Sequence, residues 1–398
     1  MRGSLFVLFA LFSNFFGSYL VSAYTKYIGI EEQTAFTPTG YEFGAILDCS
    51  VIFIIISSAY FFMASQLRTK PQRALSYHYK IDGYFYLLTV LVFIFGIVSF
   101  LSVNWSFSVV NRGAGQFERN IFDSLARILI LSFPLAIFYV NAYWRNLLAR
   151  FMILFLIAGV TLSDVSNGDR RMLFSYVVLL IFLIFRRGQA RGILLFFASR
   201  KGIYLFSILS LLILSYAIRA EGSSKMEYLS YGLLNGTLGG LGIGKILAQV
   251  KYYVVEETGY LMGETFVNYI VGLFVPSFLL YLIGSNEFYL RSSYMFDELF
   301  NNNKNMGYDF MMVADFYWNF SYIGYLLYTV FSVFILKYII QNEQNTNDFK
   351  FGLAVLLAAF FIAGQRSDLG FFLKSFSYCA LTLWLLHKFA PKRVKLIS

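Results

Sequence analysis

The chain has little charge, few cysteines and few histidines. Charged residues make up 14% of its 398 residues, against about 25% in an ordinary soluble domain, and 58% of its residues are hydrophobic. Its cysteines, Cys49 and Cys379, both lie inside apolar runs, so a disulfide framework is excluded and a cysteine-based metal site is not expected. Neither a histidine cluster nor an Asp-x-Asp pair occurs, so the sequence predicts no metal site.

The chain contains many long runs of apolar residues. A membrane-spanning helix needs about 20 apolar residues, and runs of this order occupy residues 4–23, 44–64, 84–103, 124–144, 203–218, 318–340 and 369–389. Shorter runs occupy residues 151–163, 172–185 and 351–364. The sequence therefore predicts an all-α polytopic membrane protein with about ten transmembrane helices, and a large periplasmic loop region in its C-terminal half.

Basic residues cluster between these runs, at 68–80, 145–150, 186–201 and 388–395. Because cytoplasmic loops are enriched in Lys and Arg, we place these segments and the N-terminus on the inner side of the membrane. The net charge of +10 is then a topology signal. No nucleic-acid partner is expected, since no basic stripe alternates with base-stacking aromatic residues.

This orientation divides the chain into three regions. Residues 1–218 form an N-terminal bundle of seven spans, residues 219–317 begin and end on the outer side, and residues 318–398 form three more spans. The outer region holds two apolar stretches, 229–250 and 266–284. If both cross the membrane the count is twelve, but the glycine-rich run at 235–244 and Pro276 favour ten spans, with these stretches re-entrant or at the outer interface.

The glycine-rich run contains a G-x-x-x-x-G-K pattern at residues 239–245. A phosphate-binding loop of that type continues with Ser or Thr, which binds Mg²⁺, whereas this chain has Ile246. We interpret the glycines as positions of close packing or of a flexible turn.

Charged residues inside membrane segments mark functional sites, and here they fall near the outer ends of the segments. They are Asp48, Arg127, a turn with Asp164, Asp169, Arg170 and Arg171, and a turn with Arg366 and Asp368 followed by Lys374. The apolar runs leading to both turns are short, so we expect the turns to lie below the outer surface. Because Arg binds phosphate with two parallel hydrogen bonds, the pattern predicts an anion-binding cavity; mutual neutralisation of the Asp and Arg residues is the structural alternative.

Four segments carry a resemblance to a known family. They are residues 168–171 (GDRR), 260–266 (YLMGETF) with Pro276, 315–324 (DFYWNFSYIG) and 366–368 (RSD). Together with the layout of the spans, they resemble the Wzy-type O-antigen polymerases. That family usually has Glu-x-Tyr-x-Asn-Phe-Gly-x-x-Gly in the third segment, so this chain departs from it with Asp315 for Glu and Ser321 for Gly.

The resemblance implies polymerisation of oligosaccharide repeats at the periplasmic face of a bacterial inner membrane. An acceptor sugar hydroxyl attacks the anomeric carbon of the donor, and undecaprenyl pyrophosphate departs, in an inverting, metal-independent glycosyl transfer. No cofactor is implied. The implied partners are undecaprenyl-pyrophosphate-linked oligosaccharides, membrane lipids and a polysaccharide chain-length regulator.

This chemistry needs a carboxylate to accept the hydroxyl proton and cations near the leaving pyrophosphate. Outer-side carboxylates are Glu256, Glu257, Glu264, Asp309 and Asp315. As the base we predict Asp315, which immediately precedes a spanning segment, then Glu264 or Asp169. For the pyrophosphate we predict Arg170, Arg171 and Arg366, with Arg127, Arg219, Arg291 and Lys374 in second rank.

Three other functions remain open. An O-antigen ligase shares the layout but uses an outer-side histidine, whereas His78 and His387 fall in segments placed inside. A lipid-linked oligosaccharide flippase or other transporter needs polar residues through both leaflets, and the inner halves of the spans show none. A membrane-bound acyltransferase would also need a histidine in the membrane or on the outer side.

Overall fold

The structure is a computed structural model. It describes residues 3–27, 39–66, 77–78, 81–103, 129–143, 146–166, 171–186, 244–274, 292, 295–296, 310–345, 347–391 and 394–395. Within these ranges the regular secondary structure is helical apart from one pair of two-residue strands, and the helices are joined by short turns. The predicted all-α class is therefore confirmed for this part of the chain.

The helices are α1 (Ser4–Tyr27), α2 (Thr39–Gln66), α3 (Gly83–Leu101), α4 (Ser132–Tyr143), α5 (Leu147–Ser166), α6 (Arg171–Arg186), α7 (Gly244–Tyr253), α8 (Glu264–Phe274), α9 (Met312–Asn342), α10 (Asp348–Gly364) and α11 (Leu369–Lys388). A 3-10 turn (Leu129–Leu131) precedes α4 and a π-helical turn (Val254–Thr258) follows α7. Strand β1 (Tyr77–His78) pairs antiparallel with β2 (Val394–Lys395).

Several of these helices have the length and surface of membrane spans. Within the described ranges, 5 helices are long and apolar enough to cross a membrane: Ser4–Ala23, Gly40–Gln66, Gly83–Leu101, Met312–Asn342 and Leu369–Lys388. Large apolar side chains are exposed along α2 at helical spacing, at Phe43, Leu47, Val51, Ile54, Phe61 and Phe62. A surface of this kind suits lipid rather than water, so the chain is a membrane protein.

One end of the bundle gathers the segments that the sequence placed inside; we call it the basic end. There the carboxylate of Glu343, after α9, accepts hydrogen bonds from the Ser4 backbone N–H at 2.8 Å and the Ser4 hydroxyl at 3.2 Å. The Tyr84 hydroxyl at the start of α3 donates to the Leu386 carbonyl at the end of α11, at 2.7 Å. The β1–β2 pair joins the first basic loop to the C-terminal tail at this end.

Arg186, at the end of α6, joins three helices at the same end. Its guanidinium donates to Asn141 Oδ1 at 3.0 Å, to the Asn345 carbonyl at 2.7 Å and to Asp348 Oδ1 at 3.0 Å. The guanidinium carbon also lies 4.1 Å from the ring centroid of Phe351. The ends of α4 and α6 and the start of α10 therefore share one side, as the alternation of spans requires.

The opposite end of the bundle holds the residues expected on the outer side. Ser102 after α3 and Ser163 in the last turns of α5 lie 2.7 Å apart between their hydroxyl oxygens. The described spans thus alternate in direction as the charge distribution predicts. The run at 203–218 and most of the region at 219–317 lie outside the described residues.

Both boundaries of α5 (Leu147–Ser166) lie outside the expected apolar run at 151–163. Helix α5 has 20 residues, about 30 Å, and includes Asp164. Its apolar part, Leu147–Ser163, is short as expected, but the helix is longer than the apolar run. Its last turn keeps a helical backbone because Asp164, Val165 and Ser166 add no Gly or Pro. Helices α6 and α10 are short as expected, with 16 and 17 residues.

Candidate functional site

Helix α9 is broken at Ser321, and the break organises the opposite end of the bundle. Ser321 has φ 55° and ψ −144°, inside a helix that otherwise runs from Met312 to Asn342. A Cβ on Gly324 would lie 2.0 Å from the carbonyl oxygen of Phe316, eight residues back along the chain. The two parts of α9 therefore fold against each other. We call residues 312–320 the outward leg and residues 322–342 the spanning leg.

The outward leg lies deep beside the spanning leg. The Phe316 ring packs against the Tyr328 ring, with centroids 5.7 Å apart, and Tyr328 is about 10 Å along the spanning leg from the break. The chain thus runs from Met312 away from the basic end as far as Ser321, and then turns back toward the basic end. The expected span beginning at residue 318 is therefore wrong at its start, because the break separates that residue from the helix that crosses.

Because of the break, the Trp318 carbonyl has no donor within its own helix. The loop between α7 and α8 supplies one. The Leu261 N–H donates to the Trp318 carbonyl at 3.0 Å, and the hydroxyls of Tyr260 and Tyr317 lie 3.2 Å apart. The loop needs positive φ at Gly259, Met262 and Gly263 to reach this position. The YLMGETF and DFYWNFSYIG segments are therefore in direct contact.

Helix α8 continues from this loop and runs antiparallel to the outward leg. The Thr265 hydroxyl donates to Asn319 Oδ1 at 2.9 Å, and the Tyr269 hydroxyl lies 3.1 Å from both oxygens of Asp315. On each helix the contacting residues are four apart, one turn of helix. Helix α8 thus enters the bundle and is not confined to the interface, which agrees with either a re-entrant or a crossing segment. The residues that follow Phe274 lie outside the described part.

The carboxylate of Asp315 is fully buried and surrounded by donors; we call this group the Asp315 network. Oδ1 accepts from the Ser292 hydroxyl at 2.7 Å and from Asn319 Nδ2 at 3.1 Å. Oδ2 accepts from the Leu369 backbone N–H at 2.9 Å. Asn319 Nδ2 also donates to the Asp315 carbonyl, which fixes the orientation of the amide. Burial, with the nearby carboxylates of Asp315 and Asp368, raises the pKa of the Tyr269 phenol well above its usual value, so its hydroxyl stays protonated.

This geometry makes Asp315 an anchor. It ties α8, the outward leg and the first turn of α11 together, and a carboxylate at a helix N-terminus is favoured by the helix dipole. Asp368 caps the same helix, accepting from the Phe371 N–H at 2.8 Å. Both Asp315 oxygens are occupied and the residue is 0% exposed, so no lone pair is open to a substrate hydroxyl in this arrangement.

The turn between α10 and α11 lies at the depth of Tyr328. Its Gln365 accepts from the Tyr328 hydroxyl at 2.6 Å, and the Gln365 carbonyl accepts from the Met312 N–H at 3.3 Å. This agrees with the expectation of a turn below the outer surface. Arg366 is half-buried in this turn, and Lys374 is half-buried one turn into α11.

A second polar group lies where α2, α7 and the spanning leg meet; we call it the Lys251 cluster. Lys251 Nζ lies 2.5 Å from Asp48 Oδ2, and the Tyr325 hydroxyl donates to the same oxygen at 2.9 Å. Asp48 Oδ1 has no hydrogen-bond partner within the described residues. The side chains of Asp48 and Lys251 are 18% and 9% exposed, so the pair is largely buried and Asp48 is the more accessible of the two.

Tyrosine rings form the walls of this cluster. Lys251 Nζ lies 5.7 Å from the ring centroid of Tyr317 and 5.6 Å from that of Tyr322. Tyr317 stacks on Tyr325 with centroids 5.1 Å apart. Tyr322 is 61% exposed. Aromatic faces of this kind stack on sugar rings and hold cations.

Helix α7 reaches the cluster by entering the bundle. A Cβ on Gly244 would lie 2.1 Å from the carbonyl oxygen of Phe15, halfway along α1. From there α7 runs outward to Lys251 and on to Glu256, which accepts from the Tyr41 hydroxyl at 2.8 Å. At Gly244 the close-packing interpretation is confirmed, and this part of the first apolar stretch lies inside the bundle. The residues that lead into Gly244 lie outside the described part.

The structure brings together only some of the predicted site residues. Asp315, Arg366 and Lys374 lie at the opposite end, around the starts of α9 and α11. Glu264 begins α8 and is exposed, and no contact of it with the Asp315 carboxylate is seen. Arg171 begins α6, with its side chain outside the described part. Asp169, Arg170, Arg127, Arg219 and Arg291 lie outside the described residues.

Sequence reasoning placed Asp48 among the membrane charges but did not connect it with Lys251. The residues are 203 positions apart, and Lys251 follows a stretch that looks like an interfacial helix. The available signal was an acidic residue within one apolar segment and a basic residue at the end of another. Within the described residues, no group of three His, Cys, Asp or Glu side chains could hold a metal ion.

Comparisons of the chain with protein-family models, with curated proteins and with solved structures found no match.

Proposed function

We propose that this protein is an O-antigen polymerase of the bacterial inner membrane, with about ten spans and its active site facing the periplasm. It joins undecaprenyl-pyrophosphate-linked oligosaccharide repeats by inverting, metal-independent glycosyl transfer. One observation carries the proposal: the DFYWNFSYIG segment, on which the resemblance rests most, is the broken helix around which both buried polar groups are built.

The position of the histidines supports a polymerase over a ligase. His78 lies in β1 at the basic end. His387 lies in the last turn of α11, where its Nδ1 is 2.9 Å from the Leu383 carbonyl and its ring packs against Phe138 and Phe349. Both are therefore on the side away from the candidate site.

A flippase is the second candidate, because buried polar residues also occur in the middle of the bundle. Ser13, Asn14 and Ser332 are each 0% exposed, so the expectation that the inner halves of the spans lack polar residues needs correction. All three are uncharged. In the part of the chain that the structure describes, the charged side chains lie toward the two ends, which suits a reaction at one face better than a path for a charged lipid carrier.

Deletion of the gene in its host, followed by gel analysis of the lipopolysaccharide, tests the proposal. A polymerase null should show lipid A-core bearing a single repeat and no ladder, and the wild-type gene should restore the ladder. Bare core with long polymer on the lipid carrier would indicate a ligase. Bare core without such polymer would indicate a flippase, and an unchanged ladder would refute the assignment to O-antigen synthesis.

A further inference from the structure

The carboxylates at the opposite end differ in how they are held. Asp315 is fully buried, and both of its oxygens accept hydrogen bonds. Glu256, Glu257 and Glu264 are exposed. Asp48 combines three properties: Oδ2 is fixed by Lys251 and Tyr325, Oδ1 is open within the described residues, and the side chain is 18% exposed.

These properties are those of a general base. Such a group must be held in one orientation and must keep an oxygen within hydrogen-bond reach of the proton it accepts. Lys251 holds the carboxylate by a charge-assisted hydrogen bond, the strongest kind in proteins. Tyr325 adds a second hydrogen bond to the same oxygen and leaves the other one open.

The surroundings of Asp48 suit a sugar. Tyr322 presents an exposed ring at the edge of the cluster, and Tyr317, at the junction of the two legs, forms the inner wall. Asp48 lies about 13 Å along α2 from its outer end. At this depth Asp48 lies within the outer leaflet, the leaflet in which a lipid-linked repeat would present its sugars under the proposed function.

We propose that Asp48 is the catalytic base and that the Lys251 cluster binds the acceptor sugar; this rests on the proposed function. Asp48 Oδ1 takes the proton of the acceptor hydroxyl as the hydroxyl oxygen forms a bond to the donor's anomeric carbon. The bond from that carbon to the pyrophosphate oxygen breaks, and its electron pair leaves with undecaprenyl pyrophosphate. The proton then passes from Asp48 to water. Lys251 and Tyr325 are positioning residues.

The alternative is that Asp48 only neutralises Lys251. Removing one partner of a buried ion pair leaves an uncompensated charge, whereas removing both with residues of similar size is often tolerated. Asp48→Asn alone would damage the protein under either reading. The double variant Asp48→Asn/Lys251→Met removes both charges together and separates the two readings.

The experiment measures polymer formation by the purified full chain in liposomes, supplied with a lipid-linked repeat, with kcat and KM determined. Asp48→Asn and the double variant should both lose about 10²–10⁴-fold in kcat with KM little changed. Asp48→Glu should retain part of the rate. Glu257→Gln, a matched change at an exposed carboxylate nearby, should retain all of it.

Recovery of the wild-type rate in the double variant would overturn the assignment of the base, and so would full activity of Asp48→Asn; the proposed function would stand in both cases. A wild-type protein that makes no polymer while binding the repeat would overturn the proposed function, and the assignment of Asp48 with it. Loss of kcat in a double variant that keeps the melting temperature of the wild type would support the assignment.

Discussion

Replacing Ser321 with glycine should stabilise the protein by about 1 kcal/mol. The backbone of Ser321, with φ 55° and ψ −144°, lies in a region that is almost confined to glycine. Holding another residue there costs about 1–3 kcal/mol, whereas glycine loses about 0.5–1 kcal/mol more entropy on folding. Within the described residues the Ser321 hydroxyl makes no hydrogen bond, so its removal subtracts little from the gain.

The free energy of unfolding can be measured by titration with a denaturing detergent in mixed micelles, followed by tryptophan fluorescence. Ser321→Ala keeps the Cβ and should stay within about 0.5 kcal/mol of the wild type, while Ser321→Val should lose about 1 kcal/mol or more, because β-branched residues fit positive φ poorly. Ser58→Gly, in the regular part of α2, is the matched control, because its exposed side chain also makes no hydrogen bond within the described residues, and it should lose about 0.5–1 kcal/mol. If Ser321→Gly were no more stable than Ser321→Ala, the argument from strain at the break would be refuted.

Three further changes test the packing, two around the site and one at the basic end, each read from thermal unfolding in detergent. Gly324→Ala should cost about 1–3 kcal/mol or more because its Cβ would lie 2.0 Å from a backbone carbonyl oxygen. The control Gly272→Ala, whose Cβ would have nothing within 4 Å, should cost less than about 0.5 kcal/mol. Equal losses would contradict the fold-back of α9. Asp315→Asn should cost about 3 kcal/mol because its amide nitrogen must face a donor on either side; an unchanged melting temperature would refute the anchor. Arg186→Lys should cost about 1–2 kcal/mol because an ammonium cannot reproduce the forked contacts at the basic end, and no loss would mean that these contacts contribute little.

The sequence predicted the membrane spans and their direction, because these depend on whether a segment faces lipid or water. Apolar runs and the placement of Lys and Arg respond to lipid and to the two aqueous sides, so the described spans and their direction followed from composition. The depth of the turn at Gln365 followed from the shortness of α10. The length of one apolar run can be determined without knowing its tertiary contacts.

The break in α9 could not be predicted in the same way, and neither could the depth at which α7 and α8 lie in the bundle. Ser321 is an ordinary helical residue by propensity, and only its close neighbour Gly324 hints at a fold-back. The contact between Asp48 and Lys251 depends on how far α7 enters the bundle, which hydropathy does not encode. Local patterns find helices, whereas these features arise from tertiary packing between distant segments.

The cost of burying charge explains why two carboxylates in one region take different roles. An ionised carboxylate in a membrane protein is tolerated when it is paired or fully hydrogen-bonded. Asp315 meets this condition through donors from three helices, and the same donors occupy both of its oxygens. Asp48 meets it through one cation and one hydroxyl on a single oxygen, which neutralises the charge and leaves the second oxygen open. Tyr317 lies two residues from Asp315 in the outward leg, and its ring packs beside Lys251. The Asp315 network therefore fixes the position of the ring that lines the cluster in which we propose Asp48 to act.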